Sequence, residues 1–300
     1  MAMPVVTGLK TDAEKFAGAL RTYSTEAMMQ DNKALQAGTS HNLGQNFAKA
    51  FDLSFQSEAG TVEHAWNTSW GVSTRLVGGL IMTHGDDHGL RIPPRLAPIE
   101  VVIVPIWKTD EDLARVREAA QRLMADCRAW QGRGDDRLRL HLDDREGVRP
   151  GEKYYHWEMR GVPLRLEMGP RDLASNQVMV ARRDTREKSA LALDGLPEAL
   201  AAMLERMQRE MLLAAKARRE ANSIREAISY DRFRALMEGE GAFVYAGWNG
   251  DPAVEAKIKE ETKATIRCLP DPEFRSASAP TRCLLTGEPA VVEALWAKAY

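Results

Sequence analysis

The sequence predicts a mixed α/β protein, and three observations carry that prediction. Short β-branched runs such as IEVVIVPI at 99–106 alternate with long amphipathic stretches such as TDEDLARVREAAQRLMADCRAW at 109–130. Glycine and proline punctuate the joins, most densely in RIPPRLAP at 91–98. A length of 300 residues suits two domains, or three small ones.

Each element follows from its own residues. Residues 1–98 mix strand-like and helix-like pieces and close on Pro93-Pro94, which cannot continue a helix and read as a linker. IEVVIVPI then has the pattern of a strand buried on both faces. In the following stretch Leu113, Val116, Ala120, Leu123, Met124 and Cys127 make a helical stripe, with Thr109 and Asp112 placed as its cap. LRLHL (138–142), VPLRLEM (162–168) and NQVMVARR (176–183) read as further strands of a compact α/β domain. From Pro197 to about Met237 the chain reads as a long charged helical segment, with eight Lys/Arg against four Asp/Glu between 206 and 234. GAFVYAGWNGDP returns to strand and turn, EAKIKEETKATIRCLP is helix then strand, and 281–300 closes a small α/β domain. The expected domains are therefore 1–98, 99–195 and 196–300.

Bulk composition narrows the function classes. Hydrophobic content of 44% and charged content of 28% are those of an ordinary soluble globular protein. A formal net charge of −2 excludes nucleic-acid binding through overall charge and leaves local basic surfaces open. Cys127, Cys268 and Cys283 show no CxxC spacing, so neither a disulfide framework nor a paired metal knuckle is indicated, which suits a reducing cytosol. VVIVPIW at 101–107 is too short to span a bilayer, and no basic-then-apolar leader opens the chain. A cytoplasmic location without a membrane partner is the expectation.

Three segments concentrate polar chemistry. In ALQAGTSH (34–41) a plain strand turns Gln36 and His41 to opposite faces. A bulge at Gly38 would shift the phase and bring carboxamide, Thr39 hydroxyl and imidazole to one face; the alternative is a polar edge strand with Ser40 as a cap. In WGVSTRLVGGLIM (70–82), Ser73 and Thr74 cap a helix whose apolar face is Leu76, Val77, Leu80 and Ile81. Arg75 then falls in the first turn, where the helix dipole disfavours a cation unless it meets an anion; a surface arginine is the alternative. In PGEKYYHWEMRGVPLRLEMGPRDL (150–173), Glu158, Arg165 and Asp172 are spaced by seven, so no single helix or strand aligns them. A compact sheet with tight turns at Gly161, Gly169 and Pro170 would do so. An arginine fork fits guanine O6 and N7, a carboxylate fits its N–H donors, and unstacked bases are where such reading occurs; surface salt bridges are the alternative. HGDDHG (84–89) reads as a polar turn and not as a metal site, because neighbouring aspartates alternate in direction.

These segments closely resemble prolyl-tRNA synthetases, in the form typical of archaea and eukaryotes and found in some bacteria, over nearly all 300 residues. The resemblance implies a partial class II antiparallel catalytic sheet with motif 3 over 1–98, an anticodon-binding domain over 99–195, and a long helix with a zinc-binding-like domain over 196–300. It implies proline–tRNA ligation through prolyl-adenylate, ATP and Mg²⁺ as cofactors, and proline and tRNA(Pro) as partners. By matching position, Gln36 and Thr39 would contact ATP, with Gln36 near Mg²⁺; His41 and Ser73 would face proline; Arg75 would be the catalytic motif 3 arginine on the nucleotide. Glu158, Arg165 and Asp172 would read anticodon guanines, with Lys188, Arg182, Arg183 and Arg186 on phosphates.

KTDAEKFAGALRTYSTEAMM (10–29) resembles the segment over the active-site mouth. Where many relatives carry four zinc-binding cysteines this chain has Asn249, Val254, Cys283 and Thr286, so no zinc is expected. In some relatives a terminal tyrosine turns back toward the active site; for Tyr300 a surface terminus is the default. A motif 2 arginine and the family's threonine–glutamate loop are not recognisable before PVVTGLKTDAEKF. That implies a truncated chain inactive alone, with a stand-alone tRNA-binding module or one half of a split enzyme as alternatives. Full-length relatives dimerise through motif 1, which makes a homodimer doubtful here.

Overall fold

In chain order the strands are β1 (Val5–Leu9), β2 (Arg21–Met28), β3 (Ala34–Gly44), β4 (Ser54–Gln56), β5 (Val62–His64), β6 (Asn67–Gly71), β7 (Val101–Pro105), β8 (Leu140–Leu142), β9 (Leu164–Met168), β10 (Gln177–Arg182), β11 (Lys188–Ala192), β12 (Ser223–Ile224), β13 (Phe243–Trp248), β14 (Thr265–Pro270) and β15 (Val292–Ala297). The α-helices are α1 (Asn46–Ala50), α2 (Arg75–His84), α3 (Asp110–Ala129), α4 (Pro150–Met159), α5 (Pro170–Ala174), α6 (Leu196–Ala221), α7 (Tyr230–Glu238) and α8 (Pro252–Thr262). They come from a computed structural model that describes residues 1–134 and 136–300. The fold is mixed α/β, as the alternation of patterns predicts. Among the described residues no helix is long and apolar enough to cross a membrane.

Contacts gather the chain into two units, one of Met3–Thr83 with Lys216–Tyr300 and one of Met1–Ala2 with His84–Ala215. The first holds an eight-stranded sheet in the order β12-β13-β15-β14-β1-β2-β3-β6. Strands from the sequence ranges 1–98 and 196–300 therefore share one sheet, joined where β1 pairs antiparallel with β14. Its apolar centres are Phe233, Val244, Ile258, Ile266 and Trp296 on one side and Val6, Met28, Phe243 and Tyr245 on the other. Each such side chain contributes about 2 kcal/mol on burial.

The second unit is a five-stranded sheet in the order β11-β10-β9-β7-β8. β7 runs parallel to both β8 and β9, and β9, β10 and β11 are antiparallel in turn. β7 is buried at every position, as a strand covered on both faces must be. Val101 and Ile103 face the stripe Val116, Ala120, Leu123 and Cys127 of α3 and Leu196, Leu200 and Leu204 of α6. Val102 and Val104 face Trp157 and Val162. Thr109 caps α3 by accepting the Asp112 N–H at 3.2 Å, as its spacing predicts. Pro150 starts α4 without costing a hydrogen bond, and Gly161 takes a φ of +70° where the chain leaves it.

Candidate functional site

The antiparallel pairing of β2 with β3 decides which side chains share a face. Glu26 lies opposite Gln36, Thr25 opposite Gly38, Ser24 opposite Thr39 and Thr22 opposite His41, so Ala37 is an extra residue in β3. This bulge, one position before the glycine that sequence spacing singles out, puts Gln36, Thr39 and His41 on one face with Thr22, Ser24 and Glu26. The Thr22 hydroxyl accepts the Phe16 N–H at 3.0 Å and lies 2.9 Å from His41 Nδ1. The Phe16 ring, 4.7 Å away, holds the imidazole from the side. Phe16 belongs to the polar stretch at 10–29, which thus orients His41.

Opposite Gln36, Glu26 is fully buried and bridges two cations, Lys10 Nζ at 3.1 Å and Arg267 Nη2 at 2.9 Å. Burial pushes the Lys10 ammonium below its ordinary value, partly opposed by Glu26. β6 pairs with the other edge of β3, Gly71 opposite Thr39 and Ser69 opposite His41. The chain then turns through Val72 and Ser73 into α2, where the Ser73 hydroxyl accepts the Arg75 N–H at 3.3 Å. Arg75 and Ser73 are both exposed. A groove of about 400 Å³ is lined by Tyr23, Thr25, Gly38, Ser40, Trp70 and Val72 with Thr39 at its edge. By the same register it opens on the face opposite Gln36 and His41. Tyr300 lies at the β2–β3 turn instead, with Lys33 5.1 Å from its ring centroid and Asp31 hydrogen-bonded to it.

In the five-stranded unit, two of the three residues spaced by seven touch. Arg165 on β9 donates from Nη1 to Glu158 Oε1 of α4 at 2.8 Å. Its Nε and Nη2 both reach Glu167 Oε1, at 3.2 and 2.9 Å, and its Cζ lies 4.1 Å from the Tyr154 ring centroid. Lys188 also reaches Glu167 Oε1, at 2.7 Å. Asp172 uses Oδ2 to accept the Gly169 N–H at 2.9 Å. Burial and the nearby Glu167 raise the Tyr154 phenol above its ordinary value. Tyr154 and Glu167 are functional candidates that the spacing argument overlooks. Strand alternation does signal Glu167, two residues from Arg165 on the same face; Tyr154 gives no signal without α4.

All four cations assigned to phosphates already face a carboxylate, and two of them are buried against it. Arg182 binds Asp184 through two bonds and Glu210 at 2.6 Å, and Arg183 binds Asp86 at 2.9 and 2.6 Å. Arg186 and Lys188 stay about half exposed. HGDDHG is thus a turn that anchors Arg183, and Arg183 holds the Asp86 carboxyl well below the usual carboxylate range. In the C-terminal sheet Asn249 and Thr286 both donate to Glu288 Oε2, at 2.9 and 3.2 Å, and Val254 lies in the core. Among the described residues no three His, Cys, Asp or Glu side chains gather as a metal site.

Comparison with known proteins gives this geometry its class. Residues 100–203 match the family described as Anticodon binding domain, and residues 230–300 match that described as Prolyl-tRNA synthetase, C-terminal. The chain is 50% identical over 303 residues to the proline–tRNA ligase of Chloroflexus aurantiacus and 49% identical over 300 residues to that of Flavobacterium johnsoniae. It is covered completely in both, and spans 60% and 59% of their lengths. A crystal structure of prolyl-tRNA synthetase from Cryptosporidium parvum, complexed with L-proline and AMP, superposes with a TM-score of 0.86 at 36% identity, covering 100% of this chain and 62% of that one. Over its whole length the chain matches the C-terminal portion of prolyl-tRNA synthetases.

Proposed function

We propose that this chain carries the anticodon-reading part, and one wall of the amino-acid-activating part, of a proline–tRNA ligase. The observation that supports it most directly is the Arg165 guanidinium, held by Glu158 and Glu167 inside a segment that matches an anticodon-binding domain. Arg165 reads the O6 and N7 edge of a guanine of tRNA(Pro), Glu158 and Asp172 accept base N–H groups, and Lys188 stands by the backbone. Gln36 and Thr39 face ATP; His41 and Ser73 face proline; Arg75, the catalytic residue, stabilises phosphoryl charge as the adenylate forms. A neutral carboxamide such as Gln36 suits a Mg²⁺ held chiefly by phosphates and water.

The chain spans about three-fifths of the relatives it matches, so joining proline to tRNA is proposed for the whole protein. For the chain alone the expected result is salt-sensitive binding of tRNA(Pro) without proline-dependent ATP–pyrophosphate exchange. Equal affinity for tRNA(Pro) and an unrelated tRNA would overturn the proposal. A second reading is a binding module with no ligase role. It is favoured by the groove's opening on the face away from Gln36 and His41. Exchange activity, from this chain or after joining to the rest of a relative, would eliminate it.

A further inference from the structure

We infer that Glu167 is the positioning residue of the anticodon site, fixing which edge of Arg165 is free to meet a base. The inference rests on the anticodon reading above. Arg165 carries five N–H groups. Nε and one hydrogen of Nη2 point to Glu167 Oε1, and one hydrogen of Nη1 points to Glu158 Oε1. That leaves one N–H on each terminal nitrogen to meet acceptors on a base. Guanine offers such acceptors in O6 and N7, whereas adenine puts an amino donor where O6 would be.

Glu167 does this for two cations at once, because Lys188 Nζ binds the same Oε1 and lies 5.5 Å from the same Tyr154 ring that underlies Arg165. Arg165 and Glu167 are both nearly buried, so the carboxylate is a fixed support and not a mobile surface partner. Glu158, by contrast, is part exposed and keeps Oε2 for the base. One residue thus holds the reader in place while another shares the reading.

Anisotropy titrations of the full chain with two RNA hairpins test this, one carrying the proline anticodon loop and one with its guanines replaced by adenine. Wild-type chain should prefer the guanine hairpin. Glu167→Gln should lose about tenfold on the guanine hairpin and little on the adenine one, so the preference shrinks. Loss on both hairpins by the same factor, or an unchanged preference, would overturn the inference. A wild-type chain without preference would instead overturn the anticodon reading itself. Should Glu167→Gln melt early, Glu167→Asp keeps the charge and withdraws it by one methylene. An intermediate preference is then expected, and a wild-type preference would count against Glu167.

Discussion

Arg183 grips Asp86 with two parallel hydrogen bonds, Nη1 to Oδ2 at 2.9 Å and Nη2 to Oδ1 at 2.6 Å, 97 residues apart in sequence. Arg183 is almost wholly buried, so removing its partner strands a cation. Asp86→Asn should cost about 2 kcal/mol in urea unfolding, the range for hydrogen bonds to charged groups. The pH dependence has a definite sign. Arg183 lowers the folded-state pKa of Asp86, so its contribution is full above the unfolded carboxylate pKa and fades as pH falls toward the folded value. The variant should therefore lose less stability than wild type between neutral and strongly acid pH.

Arg75 and Arg165 lie in different units and should fail differently. In a chimera joining this chain to the part of the Chloroflexus aurantiacus ligase that it does not cover, Arg75→Ala should lower ATP–pyrophosphate exchange by roughly 10²-fold or more while sparing tRNA(Pro) affinity. Arg165→Ala should weaken tRNA(Pro) binding by about tenfold or more and leave exchange near wild type. Equal damage to both measurements by either change would break this division of labour.

Periodicity made the five-stranded unit legible. A run such as IEVVIVPI has few alternatives to a buried strand, and Thr109 with Asp112 marks a helix start by local hydrogen bonding alone. α4 stayed hidden because PGEKYYHWEM buries little beyond Lys153 and Trp157, so its apolar face is too narrow to show as a stripe. The bulge in β3 was legible as a need, since Gln36 and His41 must share a face to act together. Its place at Ala37 depends on the register with β2, which is a tertiary fact. The pairing of Arg182 with Glu210 and of Arg183 with Asp86 was unreadable for the same reason, because the partners are distant in sequence. Local patterning shows that charge is present and not whom it meets.

The three cysteines should separate chemically. Burial pushes the thiols of Cys127 and Cys268 up to about 12. Cys283 is buried too, but backbone N–H groups of Thr286, Leu285 and Asn249 help to outweigh that and lower it below the ordinary thiol value. Alkylation with iodoacetamide near pH 8, followed by peptide mass spectrometry, should modify Cys283 first. Earlier labelling of Cys127 or Cys268 would contradict this ordering.

Zinc content gives an independent check on the same region. Asn249 and Thr286 converge on Glu288, so hydrogen bonds tie together the turns there. Metal analysis of purified protein should find zinc well below one per chain, and Glu288→Ala should destabilise the C-terminal sheet by about 1 kcal/mol. Stoichiometric zinc would overturn this account.

Glu26 offers the sharpest test of how the sheet supports the candidate nucleotide face. It sits opposite Gln36 and is the shared anion of Lys10 and Arg267, all three nearly inaccessible to water. Glu26→Gln leaves two cations buried against each other, a change that typically costs about 3–5 kcal/mol. Lys10 already titrates low through burial, and the variant loses the attraction that opposes that shift. Between the folded and unfolded lysine pKa values the unfolded chain binds more protons, so stability rises with pH. Unfolding measured from neutral to alkaline pH should therefore show a steeper recovery for Glu26→Gln than for wild type. Parallel profiles would mean that Lys10 does not depend on Glu26 for its charge.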